Sequence, residues 1–253
     1  MSRPLDEWKV LPHDDLVRVT DDILTVTGEI SMPLMALKRR MTIVRLKGSR
    51  LAIFSAIALD EDEMRRIEDF GKPTFLIVPN DHHRLDSKIW KDRYPALRVL
   101  APPAACEAVE ELVAVDASAV DFGDPDVAFV IVDGTGGGEA ALEVRGADGL
   151  TLVLNDIVAN IRDEHGIGGW LLRRMGFAGE EPHVPGPVKR AMVEDKAAVR
   201  AQLLRWAQEP RLKRIIVSHG ENTGSSPVGV TSEINDLAGI FRSPRQTSPI
   251  HPQ

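Results

Sequence analysis

The chain has 253 residues, 43% apolar and 27% charged, which is the composition of a globular protein long enough to bury a substantial core. Its net charge of −7, from 31 basic and 38 acidic residues, argues against a general nucleic-acid binder, whose affinity comes mainly from neutralising phosphates. The lone Cys106 excludes an internal disulfide, no stretch approaches the roughly 20 apolar residues of a membrane span, and the charged amino terminus lacks a signal-peptide core. A cytoplasmic protein without membrane contact is expected.

In chain order, ILTVT (23–27) reads as a short strand punctuated by Gly28. MTIVRL (41–46) and RLAIFSAIAL (50–59) flank Lys47-Gly48-Ser49 and predict a hairpin. DEDEMRRIEDFG (60–71) opens on acids, carries Met64 and Ile67 on one face and closes on glycine, so a capped amphipathic helix is expected. The strand TFLIV (74–78), a polar loop PNDHH, a short helix SKIWKDRYP (87–95) and the strand LRVLAP (97–102) follow. A helix bearing Cys106 comes next, with the cysteine as a buried core residue. This β-α-β-α-β order, with continuous apolar strands, predicts a sheet covered by helices.

The second half begins with VAFVIVDG, EAALEVRG and LTLVLND, three runs that predict a meander. The GTGGGEA stretch (134–140) between the first two has no Lys-Ser/Thr and opens no helix, so it reads as a tight turn rather than a phosphate loop. An irregular segment spans 161–187. Residues 188–208 predict the longest helix, with Met192, Val199, Leu203 and Trp206 on one face. RIIVSHG supplies a last buried strand. Strands first and helices later in each half, with no linker, predict a single α/β domain over 1–241, with helices outside two packed sheets; the Pro- and Ser-rich 242–253 reads as a disordered tail.

Three of these strands run into side chains that bind metals. TFLIV leads to His82 and His83, LTLVL to Asn155 and Asp156, and RIIV to His219. Imidazoles and a carboxylate suit Zn²⁺, Fe²⁺ or Mn²⁺, and strand ends are where α/β folds gather reactive groups. Each also has a structural reading as a hydrogen-bonded loop residue. A serine-hydrolase reading of Ser55 or Ser218 fails for want of a G-x-S-x-G elbow. Trp90 is expected to pack beneath the histidine loop.

The run from Arg50 to Pro103 containing TFLIVPNDHH and Trp90, followed by LTLVLNDI and IIVSHG, resembles the metallo-β-lactamase superfamily, within it a branch marked by a PN-x-HH loop. The likeness spans roughly 20–222. It implies an αββα four-layer sandwich. The superfamily's first-loop pattern H-x-H-x-D-H falls on Val78, Asn80, His82 and His83, so two of its histidines are absent and His82 replaces its aspartate. Its third-loop histidine falls near the glycine stretch, where only Glu139 could substitute, while its bridging aspartate and final histidine match Asp156 and His219. The resemblance therefore implies at most one divalent metal, zinc or iron, held by His82, His83, Asp156 and His219, with Asn80, Glu139, His165 and His183 as further cleft residues. It implies a metal-dependent hydrolase-like protein acting on a small-molecule substrate. Two alternatives stay open: a metal-free scaffold on the same fold, and an iron-dependent redox role.

Overall fold

The computed structural model describes residues 4–32, 35–158, 192–219 and 238. The segment 161–187 with His165 and His183, and the tail 242–253, lie outside the described residues.

The first half forms a six-stranded sheet in sequential order. Strands β1 (Val17–Thr20), β2 (Ile23–Met32), β3 (Met35–Leu46) and β4 (Arg50–Phe54) run as an antiparallel meander. The chain then crosses over through helix α1 (Glu61–Phe70) to β5 (Lys72–Ile77), and through α2 (Ser87–Arg93) to β6 (Arg98–Leu100), both joining in parallel. A short helix α3 (Cys106–Glu110) follows. Strands β7 (Val127–Ile131), β8 (Ala140–Gly146) and β9 (Gly149–Leu154) form the antiparallel part of a second sheet. After helix α4 (Lys196–Ala207), strand β10 (Leu212–Val217) pairs with β9 in parallel. None of the described helices is long and apolar enough to cross a membrane.

Period-two alternation sorts the apolar residues into layers. Val44, Leu46, Ala52, Phe54, Phe75 and Ile77 of the first sheet face Val127, Leu142, Val144, Val153 and Ile216 of the second. Their neighbours Met41, Ile43, Leu51, Ile53, Leu76 and Val78 point the other way, against Met64 and Ile67 of α1 and Ile89 and Trp90 of α2. On the far side, Leu152, Leu154 and Ile215 pack under Val199, Leu203 and Trp206 of α4. The order is helix, sheet, sheet, helix, as the resemblance implied.

Four local expectations are corrected. Strand β2 continues through Gly28 to Met32, because its whole length pairs with β3; at Gly28 the Ile57 side chain packs 3.2 Å from where a Cβ would sit. Strand β4 ends at Phe54, since Ser55 turns the chain with a φ of 56°, and Ile57 and Leu59 then pack beneath α2 rather than in the sheet. Helix α4 starts at Lys196, where the Asp195 carboxylate accepts from the Ala197 and Ala198 N–H groups, so Met192 precedes the helix. The Cys106 helix is a single turn. There the half-buried thiol faces the Ala101 and Pro102 carbonyls, and burial and Glu110 raise its pKa. Strand β1 had no clear signal in its four residues.

Trp90 anchors the layer beneath the histidine loop. It is fully enclosed, donates from Nε1 to the Ile57 carbonyl at 3.1 Å, and lies between Trp8 and Tyr94. Trp90→Ala should cost about 3–5 kcal/mol, read by chemical denaturation. Tyr94 beside it is the only tyrosine in the chain, and partial burial together with its bond to Glu68 pushes its pKa up to about 12. A raised folded pKa means this group's contribution is intact below the ordinary tyrosine value and lost as pH rises through the shifted one. Tyrosinate absorbance should therefore titrate with a midpoint near 12 in the folded protein and near 10 in denaturant. Coincident midpoints would contradict the packing described for this corner.

Candidate metal centre

The site is built at the carboxyl ends of parallel strands. Strands β9 and β10 pair in register from Leu152–Ile215 to Leu154–Val217, and the ladder continues with the Ser218 N–H donating to the Leu154 carbonyl at 3.1 Å. Asp156 and His219, each two residues beyond a paired position, thus emerge side by side. His83 arrives from the other sheet, in the loop after β5. That loop is tied across the sandwich by the Ala140 N–H, which donates to the Pro79 carbonyl at 2.9 Å.

Asn80 shapes the loop. Its Oδ1 accepts from the backbone N–H groups of His82 at 2.9 Å and His83 at 3.1 Å, an Asx-type closure. The tight turn sends successive imidazoles in different directions. His83 turns inward, with Nε2 3.1 Å from Asp156 Oδ1 and 3.1 Å from His219 Nε2. His219 Nε2 closes the triangle at 3.2 Å from the same Asp156 oxygen. His82 instead lies half exposed, its Nδ1 hydrogen-bonded to Asp81. The expected quartet is therefore a trio in this geometry, and His82 stands outside it.

Each inward ring is oriented from behind. His219 Nδ1 lies 2.7 Å from the Lys38 carbonyl, which can only accept, so Nδ1 carries the proton and a neutral ring leaves Nε2 bare. Strand β3 is held at this place by Arg40, whose backbone N–H donates to the Ser218 carbonyl and whose guanidinium donates to the Val217 carbonyl. His83 Nδ1 lies 2.7 Å from Ser55 Oγ. Ser55 is 3% exposed, and its hydroxyl orients the ring from within the protein. The positive φ that breaks β4 is what aims it. Deeper down, Arg39 of β3 and Asp86 form a buried ion pair, and Asp86 also accepts from the Ala58 N–H at 3.0 Å.

Glu139 lies behind Asp156, fully buried. Its Oε1 accepts from the Ile157 N–H at 3.1 Å and its Oε2 from Asn80 Nδ2 at 3.0 Å, while the enclosed Asn155 carboxamide rests against it without a well-directed hydrogen bond. The glycine stretch before it turns tightly. Gly134 has a φ of 79°, and its carbonyl accepts from the Glu194 and Asp195 N–H groups that start α4.

The charges separate accordingly. Burial raises the Glu139 carboxyl well above the usual range, and the Asp156 charge adds to this. Burial alone would raise Asp156 too, but His83 and His219 outweigh it and hold Asp156 well below its ordinary value. Burial would lower His219, yet its bond to Asp156, the Asp156 charge and the Lys38 carbonyl raise it. His83 is lowered, because burial exceeds the attraction of Asp156. Without a metal, Asp156 and His219 thus support each other's charged forms, the acid shifted down and the imidazole up.

The same triangle fits a cation. Two imidazole nitrogens and a carboxylate oxygen are acceptable donors for zinc or iron. Their separations of 3.1–3.2 Å approach the roughly 3.3 Å edge of a tetrahedron around an ion bound at about 2.0–2.1 Å.

No family model matches the chain, and no curated protein matches it significantly. Solved structures of metallo-β-lactamases share its fold. FIM-1 from Pseudomonas aeruginosa in its mono-zinc form superposes with a TM-score of 0.60 at 12% identity, covering 92% of this chain and 97% of that one. The Erythrobacter litoralis protein, with β-mercaptoethanol in its active site, gives 0.59 at 12% identity over 89% and 96%. The Pontibacter korlensis protein gives 0.58 at 10% over 89% and 98%. The fold is that of the metallo-β-lactamases.

In the metal-free protein, ring-proton NMR should show His219 titrating above the ordinary histidine value and His83 below it. The stabilisation from His219 is full in acid and lost as pH rises through its raised pKa, whereas cation affinity should change in the opposite sense, weakening as that proton is added. Two rings with the same ordinary midpoint would show that the triangle does not exist in solution.

Proposed function

We propose that the chain is a hydrolase of small molecules working with a single divalent ion, zinc or iron, held by His83 Nε2, Asp156 Oδ1 and His219 Nε2. The observation that carries this reading is the convergence of three electron-pair donors on one point. The shared fold supports it, since FIM-1 was solved with zinc. When bound, such an ion supplies Lewis acidity, which lowers the pKa of water beside it toward neutrality.

The chain's own residues do the rest. Ser55 and the Lys38 carbonyl hold the two rings with their Nδ1 sides turned away, so both Nε2 atoms face the same point. Asn80 secures one oxygen of Asp156 and leaves the other to the imidazoles. His82, with Asp81 on its Nδ1, stands at the exposed side of the loop.

A second reading, a metal-free scaffold, is favoured by one observation: the Glu139 and Asp156 carboxylates already have partners within the protein. Elemental analysis separates the two. Protein made with excess zinc and iron should carry near-stoichiometric metal, and the Asp156→Ala/His219→Ala variant should carry none. A coloured preparation would point to iron. Metal-free wild type under those conditions would end the hydrolase reading and leave the scaffold.

A further inference from the structure

We propose that Asn80 takes the place of a cation between the carboxylates of Glu139 and Asp156 and thereby limits the centre to one ion. The clause about ion number rests on the metal reading above; the role of Asn80 between the acids does not.

Asn80 is fully enclosed. One hydrogen of its Nδ2 goes to Glu139 Oε2 at 3.0 Å and the other to Asp156 Oδ2 at 2.8 Å. Its Oδ1 spends both lone pairs on the His82 and His83 N–H groups. Every hydrogen-bonding position of the amide is used. The nitrogen therefore presents partial positive charge to two acids at once and fills the point midway between them, where a metal ion would otherwise bridge. Asp156 is split by the same contact. Its Oδ2 is committed to Asn80, and its Oδ1 faces the imidazoles. It can offer an ion in the triangle one oxygen, and a second ion has no room between Asp156 and Glu139.

The discriminating substitution is Asn80→Asp, which keeps shape and Oδ1 but exchanges the donating NH₂ for a carboxylate oxygen. Three carboxylates would then converge, an oxygen-rich arrangement that hard divalent ions accept. At pH 8 the metal-free N80D protein should melt roughly 10 °C below metal-free wild type, because a carboxylate oxygen then faces Asp156 Oδ2 where an N–H stood, whether or not Glu139 takes up a proton. Added Mg²⁺, Mn²⁺ or Ca²⁺ should restore it, and its ion content should exceed that of wild type by one. Asn80→Ala removes the same bonds without adding charge, so its loss of stability should not respond to these ions.

N80D melting like wild type would overturn the proposal, and so would a loss that no divalent ion repairs, since that is ordinary loss of bonding. Should N80D fail to fold without ions, refolding it in the presence of Mg²⁺, Mn²⁺ or Ca²⁺ should recover it; failure with all three also counts against the proposal. Wild type without metal beside a cation-rescued N80D would sink the metal reading alone. Metal-loaded wild type beside an N80D that behaves like N80A would sink this one alone.

Discussion

Three electron-pair donors held in one small triangle form the constraint on which this structure turns. His83 Nε2, Asp156 Oδ1 and His219 Nε2 approach one another to 3.1–3.2 Å. Electron-rich atoms stay so close inside a protein only when a shared hydrogen or a cation joins them. A proton does this in part, which is why His219 is raised and Asp156 depressed together. A divalent ion does it for all three donors at once.

The fold's contribution is to make that convergence unavoidable. Parallel pairing of β9 with β10 brings Asp156 beside His219. Strand β3 belongs to the first sheet yet reaches the end of the second, where its backbone supplies the Lys38 carbonyl to His219 and the Arg40 bonds to Val217 and Ser218. The loop after β5 spans the sandwich to Ala140. The groups behind the triangle differ in kind from those forming it: the carbonyl of exposed Lys38, and an enclosed hydroxyl, carboxamide and protonation-prone acid. They fix direction and leave the reactive faces of the donors open.

Much of this was legible in the residues, and the remainder was hidden for definable reasons. The layered architecture follows from apolar runs with period two and from helices capped by Asp60 and Gly71. Asp156 and His219 could be picked out because each follows a buried strand, although their adjacency depends on a register that no single strand encodes. His82 and His83 could not be told apart, because the choice is made by an Asn80 side chain closing a turn, and adjacent residues of an irregular loop carry no period. Ser55 was considered as a nucleophile and set aside for lack of flanking glycines; its positive φ, which gives it a role in orienting His83, has no signature in IFSAIA. Glu139 was marked only as a substitute for a missing histidine, whereas its place in the structure is as a hydrogen-bonded partner of Asn80. The Lys38 carbonyl is a backbone group and could not be chosen by side-chain chemistry at all.

X-ray absorption at the metal edge of zinc-loaded protein tests the central claim most directly, because it reports the atoms around the ion without reference to any substrate. The triangle predicts backscattering from two imidazoles and a carboxylate oxygen at about 2.0–2.1 Å, with the imidazole signal reduced in His83→Ala. A shell of oxygens alone, or a spectrum unchanged by that substitution, would show that the ion sits elsewhere and that the convergence of these three side chains is not a metal site.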